Sequence, residues 1–272
     1  MPASLSEIVA ATRRRVAEVK LAADLRQLER LAESHIPRGF QRALQSVSTN
    51  GPAVIAELKR ASPSRGLIRS DFDAAKLALD LESSGAAALS VLTDAEFFHG
   101  SLENMQRAST STKLPCLRKD FIIDEFQLVE ARANGADAVL LIVAALSPTD
   151  LITLARRARE FNLDVLCEVH DEEELKFAVD AGCCLIGVNN RNLQTFQVDL
   201  QTAFRLADLI PKNAFPVAES GIHGGAEVAA LRATGYRAFL IGESLMKATS
   251  PGEALKALLA EAQRESHALA RK

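Results

Sequence analysis

Aromatic rings are scarce in this sequence. It has no tryptophan and a single tyrosine, so contact with a flat ligand would fall to its phenylalanines. Four cysteines, Cys116, Cys167, Cys183 and Cys184, lie inside apolar runs without C-x-x-C spacing. That pattern points to buried thiols rather than to disulfides or a metal site. The five histidines are scattered with no ligand spacing, so no metal is expected. No apolar run is long enough to span a bilayer, and the first residues lack an apolar signal segment. The expected location is therefore the cytoplasm. A net charge of −3 gives no bulk electrostatic reason to bind nucleic acid or a membrane surface. G-x-G-x-x-G, Walker and G-x-S-x-G sequences are all missing, which removes the common dinucleotide, nucleotide and serine-hydrolase readings.

What the chain does have is a repeat. Around Gly85, Gly135, Gly182 and Gly235 a helix-like segment ends, the glycine follows, and an apolar run begins. Glycine tolerates the left-handed backbone that closes a helix, so the turn into a strand can be short. Repeated helix–Gly–strand units imply a parallel sheet. Eight apolar runs are present: Val54–Lys59, Ala87–Thr93, Leu114–Lys119, Ala138–Val143, Asp164–Val169, Leu185–Asn190, Phe215–Ser220 and Ala238–Glu243. Their spacing of roughly 20–35 residues suits one strand plus one helix each. The expected fold is α/β, a (β/α)8 barrel of the TIM type with an N-terminal helical extension. Residues 1–272 read as a single domain, with 1–50 as the extension and 51–272 as the eight βα units. Within the extension, residues 4–33 read as one helix opened by a Ser4–Glu7 capping box. The run Arg13-Arg14-Arg15 reads as a solvated helix face. A helix is expected over Asp71–Ser83, and Ser147-Pro148 and Ser250-Pro251 read as helix starts.

In such barrels the active site lies at the C-terminal ends of the strands. Those ends read Glu57, Lys59 and Ser62; Thr93, then Phe97 to Ser101; Arg118 to Phe121; Glu168; Asn189, Asn190 and Arg191; Glu219, Ser220 and Gly221; and Gly242, Glu243 and Ser244. Glu57 and Lys59, two apart, share one face of a strand, which is costly for stability alone. Many polar residues converging on one rim imply a bound ligand. Ser220, Gly221, Gly242 and Glu243, at the seventh and eighth ends, suit a phosphate, with the Glu243 side chain directed away from it. Lys59, Lys119 and Glu168 are candidates for proton transfer; a lysine would need its pKa lowered by burial or by neighbouring cations. A structural ion pair of Lys59 with Glu57 or Glu219 is the plainer alternative. Phe98 and Phe121 can line a pocket for an aromatic ring.

At this point the chain resembles the indole-3-glycerol phosphate synthase family. The matching segments include Ala56-Glu-Leu-Lys-Arg-Ala-Ser-Pro-Ser64, Phe97-Phe-His-Gly-Ser101, Leu117-Arg-Lys-Asp-Phe121, Glu168-Val-His170, Gly187-Val-Asn-Asn-Arg-Asn-Leu193, Ala218-Glu-Ser-Gly-Ile222 and Phe239-Leu-Ile-Gly-Glu-Ser-Leu-Met246. The resemblance implies an anionic phosphosugar–anthranilate substrate, 1-(2-carboxyphenylamino)-1-deoxyribulose 5-phosphate. It implies no metal and no organic cofactor, and it identifies no protein partner. Carried over, Lys119 is the general acid and Glu168 its carboxylate partner. Lys59 holds the substrate's anionic groups and serves the dehydration with Glu57 as companion base, and Asn189, counted with the catalytic residues, lies near the anthranilate carboxylate and hydroxyls. Ser62, Phe98, Phe121, Arg191, Leu193, Glu219 and Leu240 are implied substrate contacts, and Ser220, Gly221, Gly242 and Glu243 the phosphate cradle. Other readings of the same rim are a phosphoribosylanthranilate isomerase, a Schiff-base aldolase using Lys59 or Lys119, and a phosphosugar-binding protein without catalysis.

Overall fold

The computed structural model describes residues 3–269; residues 1, 2 and 270–272, the ends of the expected domain, lie outside the described residues. Eight parallel strands close into a barrel: β1 (Ala53–Leu58), β2 (Ala88–Leu92), β3 (Cys116–Lys119), β4 (Ala138–Ile142), β5 (Asp164–Val169), β6 (Leu185–Asn189), β7 (Phe215–Glu219) and β8 (Ala238–Ile241). Each strand pairs with its neighbour in sequence, and β8 returns to β1 with Ala56 opposite Ile241. All eight expected strands are present; β1 begins one residue earlier than expected, and no other end is shortened by more than two residues. Gly85, Gly135, Gly182 and Gly235 all have positive φ, as the repeat requires.

Alternation along the strands separates two apolar layers. Val54, Ala56 and Leu58 face the surrounding helices, whereas Ala53 and Ile55 fill the barrel interior. The same rule puts Leu117 inside and Cys116 outside on β3, and Leu166 inside and Cys167 outside on β5. Two residues beyond the last inward apolar side chain, the period delivers Glu57, Lys119, Glu168 and Glu219 to the interior at the C-terminal mouth. The site is thus a consequence of strand length and register. It also explains why Arg118, one residue from Lys119, is elsewhere.

The N-terminal extension differs from the single expected helix. It forms α1 (Leu5–Ala22), α2 (Leu25–Ser34) and α3 (Phe40–Ser48). The break falls at Asp24, whose side chain accepts from the Gln27 backbone N–H and starts α2 afresh. The Ser4–Glu7 capping box opens α1 as expected. Phe40 and Leu44 of α3 are fully buried against the inner residues that begin the strands, closing the barrel's N-terminal end. Arg15 corrects the solvated-face reading of Arg13–Arg15. Arg13 and Arg14 are exposed, but Arg15 turns inward to Asp120 at 3.1 Å.

Two smaller differences remain. The helix expected from Asp71 begins at Ala74, because Asp73 accepts from the backbone N–H of Ala75 and Lys76 and caps it there. Ser147 caps the helix Pro148–Glu160 as expected. Among the cysteines, Cys116, Cys167 and Cys183 are buried, but Cys184 is exposed in the turn before β6.

Candidate active site

A cleft of about 370 Å³ opens at the C-terminal mouth. Lys119 stands at its centre. Its ammonium donates to Glu168 Oε2 at 2.8 Å and to Glu219 Oε2 at 2.9 Å. Both carboxylates are almost fully buried. Asn189 donates to the other oxygen of Glu168 at 3.1 Å and accepts from the Arg191 backbone N–H at 3.0 Å. Gly187, on β6 beside β7, makes room for this arrangement; a Cβ there would run into the Glu219 carboxylate.

The electrostatics of this cluster reverse one expectation. Lys119 was expected to be pulled down by burial or by cations. Burial does oppose its charge, but Glu168, Glu219 and Glu57 outweigh that and raise its pKa far above the ordinary lysine value. The lysine is therefore a protonated acid at neutral pH. Glu168 is pushed up by burial, yet Lys119 and then His170 overcome this and hold it well below the carboxylate range. Glu219 goes the other way. Burial raises it, Lys119 only partly compensates, and the nearby Glu168 charge adds to the rise, to about 7. One ammonium thus separates two carboxyl groups of different character.

Lys59 and Glu57 form a second pair, 2.5 Å apart, on the opposite side of the cleft from β5. Gly242 packs over it, where any side chain would strike Glu57. Ser62 lines the cleft, and its buried hydroxyl has no protein partner. Ser220 and Gly221 both have left-handed backbone, with φ of 63° and 77°, and turn the chain sharply after β7. They and Gly242 line the same cleft. Glu243 engages its side chain in ion pairs. Its carboxylate lies 3.1 Å from Arg65 Nε, 2.6 Å from Lys247 and 3.8 Å from Arg191.

The apolar wall is made by Phe98, Phe121, Leu193 and Leu240. The two phenylalanine rings are 6.3 Å apart and tilted by 40°. Not every polar strand end joins the site. Arg118 is buried outside the barrel, paired with Asp120 at 3.0 Å and Glu130 at 2.7 Å, while Thr93 donates to Asp120. Among the described residues, no three histidine, cysteine or acidic side chains are grouped to hold a metal. Several cleft residues escaped the sequence reading: Leu5 and Ile8 of α1, Leu140, Phe196 and His223. The two on α1 carried a helical-packing signal and nothing that pointed to a ligand.

A closed (β/α)8 barrel with acid–base side chains converging at the C-terminal mouth defines a barrel enzyme. The model of the family described as indole-3-glycerol phosphate synthase matches residues 5–258. An indole-3-glycerol phosphate synthase of Koribacter versatilis is 57% identical over 259 residues, 95% of this chain and 100% of the relative. One of Acinetobacter baumannii is 49% identical over 242 residues, 88% of this chain and 89% of the relative. The chain belongs to the indole-3-glycerol phosphate synthase family, and it is a carbon–carbon lyase of tryptophan biosynthesis. Distant solved structures share the fold alone. A 3-hexulose-6-phosphate synthase of Salmonella typhimurium has a TM-score of 0.63 at 12% identity, covering 78% of this chain and 99% of that one. A tryptophan synthase alpha chain of Legionella pneumophila has 0.60 at 13%, covering 87% and 100%.

Proposed function

We propose that the cleft converts 1-(2-carboxyphenylamino)-1-deoxyribulose 5-phosphate into indole-3-glycerol phosphate, carbon dioxide and water. The observation that carries this reading is the Lys119 ammonium held between Glu168 and Glu219 beside an aromatic wall. Ring closure needs a carbonyl made electrophilic, and a proton placed on its oxygen by Lys119 does that. The ring carbon that bears the carboxylate attacks, and carbon dioxide leaves as the ring regains aromaticity. Dehydration then needs an acid at the departing hydroxyl and a base at the adjacent carbon. Lys59 and Glu57, already paired on the far side of the cleft, supply these roles. Glu168 anchors the ammonium, Asn189 fixes Glu168, and Glu219, with its pKa near neutrality, exchanges protons with Lys119.

The substrate's aromatic ring fits against Phe98, Phe121, Leu193 and Leu240, with Arg191 and Ser62 meeting its carboxylate and hydroxyls. Ser220, Gly221, Gly242 and the backbone of Glu243 face the phosphate, whose remote binding energy orients the reacting end. Residues 1–272 act as one domain, since α1 completes the mouth and α3 the opposite end, and the named relatives suit a place in the cytoplasm. Incubation with the carboxyphenylamino-deoxyribulose phosphate tests the reading through indole fluorescence. Product that saturates with substrate supports it; tight binding without product makes the chain a binding protein.

A further inference from the structure

His170 follows β5 directly and does not line the cleft. Its ring is tied down on one side: Nδ1 lies 2.9 Å from Glu174 Oε2, and the His170 backbone N–H donates to the same oxygen at 2.8 Å. Glu174 sits in the first turn of the helix Glu172–Asp180, which Asp171 caps. Those two bonds would suffice to join the strand end to the helix. They leave the other ring nitrogen unexplained. Nε2 is buried without a hydrogen-bond partner, and it lies 3.4 Å from Glu168 Oε1.

We propose that His170, fixed by Glu174, is a positioning residue for the acid–base step, standing behind Glu168 as an imidazolium that sets the orientation and charge of that carboxylate. The inference rests on the reading of Lys119 and Glu168 given above. Glu168 Oε2 is taken by Lys119 and Oε1 receives Asn189. His170 Nε2 stands 3.4 Å from Oε1 and outside the cleft lining, close enough to act on the carboxylate as a charge. A carboxylate held by two hydrogen bonds, with an imidazolium 3.4 Å from Oε1, keeps one orientation in a water-poor site and does not take the proton of Lys119. The gap of 3.4 Å is long for a hydrogen bond, as catalytic contacts often are before substrate binds.

The surroundings favour the charged ring. The titratable groups that face it are Glu168 on β5, Glu174 on the following helix and, beyond Glu168, Lys119 on β3; the turn Val143–Ala145 packed against that helix is apolar. Burial opposes the charge, but Glu168 and Glu174 outweigh it and lift the imidazole to about 10. The imidazolium is therefore present across the neutral range and is lost only as pH rises through that value.

Two measurements test this. Nitrogen NMR of the free wild-type protein should show His170 with both ring nitrogens protonated beyond pH 8. An imidazole titrating near the ordinary value of about 6.5 overturns the inference. Kinetics come second. His170→Ala should lower kcat by roughly tenfold or more with little change in KM, the size of one charge-assisted hydrogen bond. Glu174→Gln keeps the ring but removes its counter-ion, so its kcat should fall as pH rises through a lowered imidazole pKa, a loss absent in wild type. A purely structural histidine gives no such limb. A folded His170→Ala enzyme with kcat within about twofold of wild type also overturns the inference. Absence of product from wild type instead overturns the reading of the reaction, which the NMR result does not depend on.

Discussion

Lys119 shows how a side chain's neighbours decide its chemistry. With two carboxylates bonded to its ammonium it cannot act as a neutral nucleophile near neutral pH, which disfavours Schiff-base chemistry at this position and favours proton donation. Glu219 is the titrating member of the cluster. Its pKa is raised, to about 7, so the proton-accepting form exists only above that value. The expected wild-type kcat/KM therefore falls as pH drops through about 7. Glu219→Gln should lower activity at pH 8 and abolish that limb, as pH–rate profiles of the two enzymes will show. Glu57, Lys119, Glu168, Asn189 and Glu219 were legible as strand ends. Their pairing was not, since Lys119 and Glu219 are 100 residues apart and meet only through the barrel's register. The direction of the Lys119 shift is hidden for the same reason, because a sequence does not show that three acids surround it.

At the scale of elements, the extension is fastened at both ends of the barrel. Arg15 of α1 reaches Asp120 at the mouth. At the other end Asp137, fully buried just before β4, accepts from the Arg38 backbone at 2.7 Å, from Arg38 Nε at 2.9 Å and from the Cys116 backbone at 2.7 Å, with His35 Nε2 at 3.2 Å. Asp137→Ala leaves Arg38 without its counter-ion, and breaking such a pair costs about 3 kcal/mol or more. Urea unfolding should show that loss. Burial pushes Asp137 up, but His35 and Arg38 outweigh it and hold its pKa below the ordinary carboxylate value. Its contribution to stability is thus present above about pH 3.9 and is lost as pH falls through its depressed value. The mutant should lack that part of the acid sensitivity. The sequence showed helical periodicity over the extension but not its break at Asp24, nor the docking of α3. A capping side chain and a buried salt bridge to a residue about a hundred positions away leave no local periodic signal.

The whole molecule follows from one period applied eight times. The helix–glycine–strand repeat determines the parallel barrel, and alternation along each strand sends apolar side chains to two layers and the last inward residue to the mouth. Fold and rim were therefore readable together. Residues that the period does not place were missed: Leu5 and Ile8 arrive from outside the barrel, and Phe196 from a loop where its backbone is left-handed. In the proposed reaction Lys119 donates the proton that starts ring closure. Single-turnover formation of indole-3-glycerol phosphate by wild type and Lys119→Ala, with circular dichroism to verify the fold, tests it most directly. A loss of at least about 10²-fold in the chemical step is expected with the barrel intact; a folded mutant that closes the ring at close to the wild-type rate removes Lys119 from the acid role.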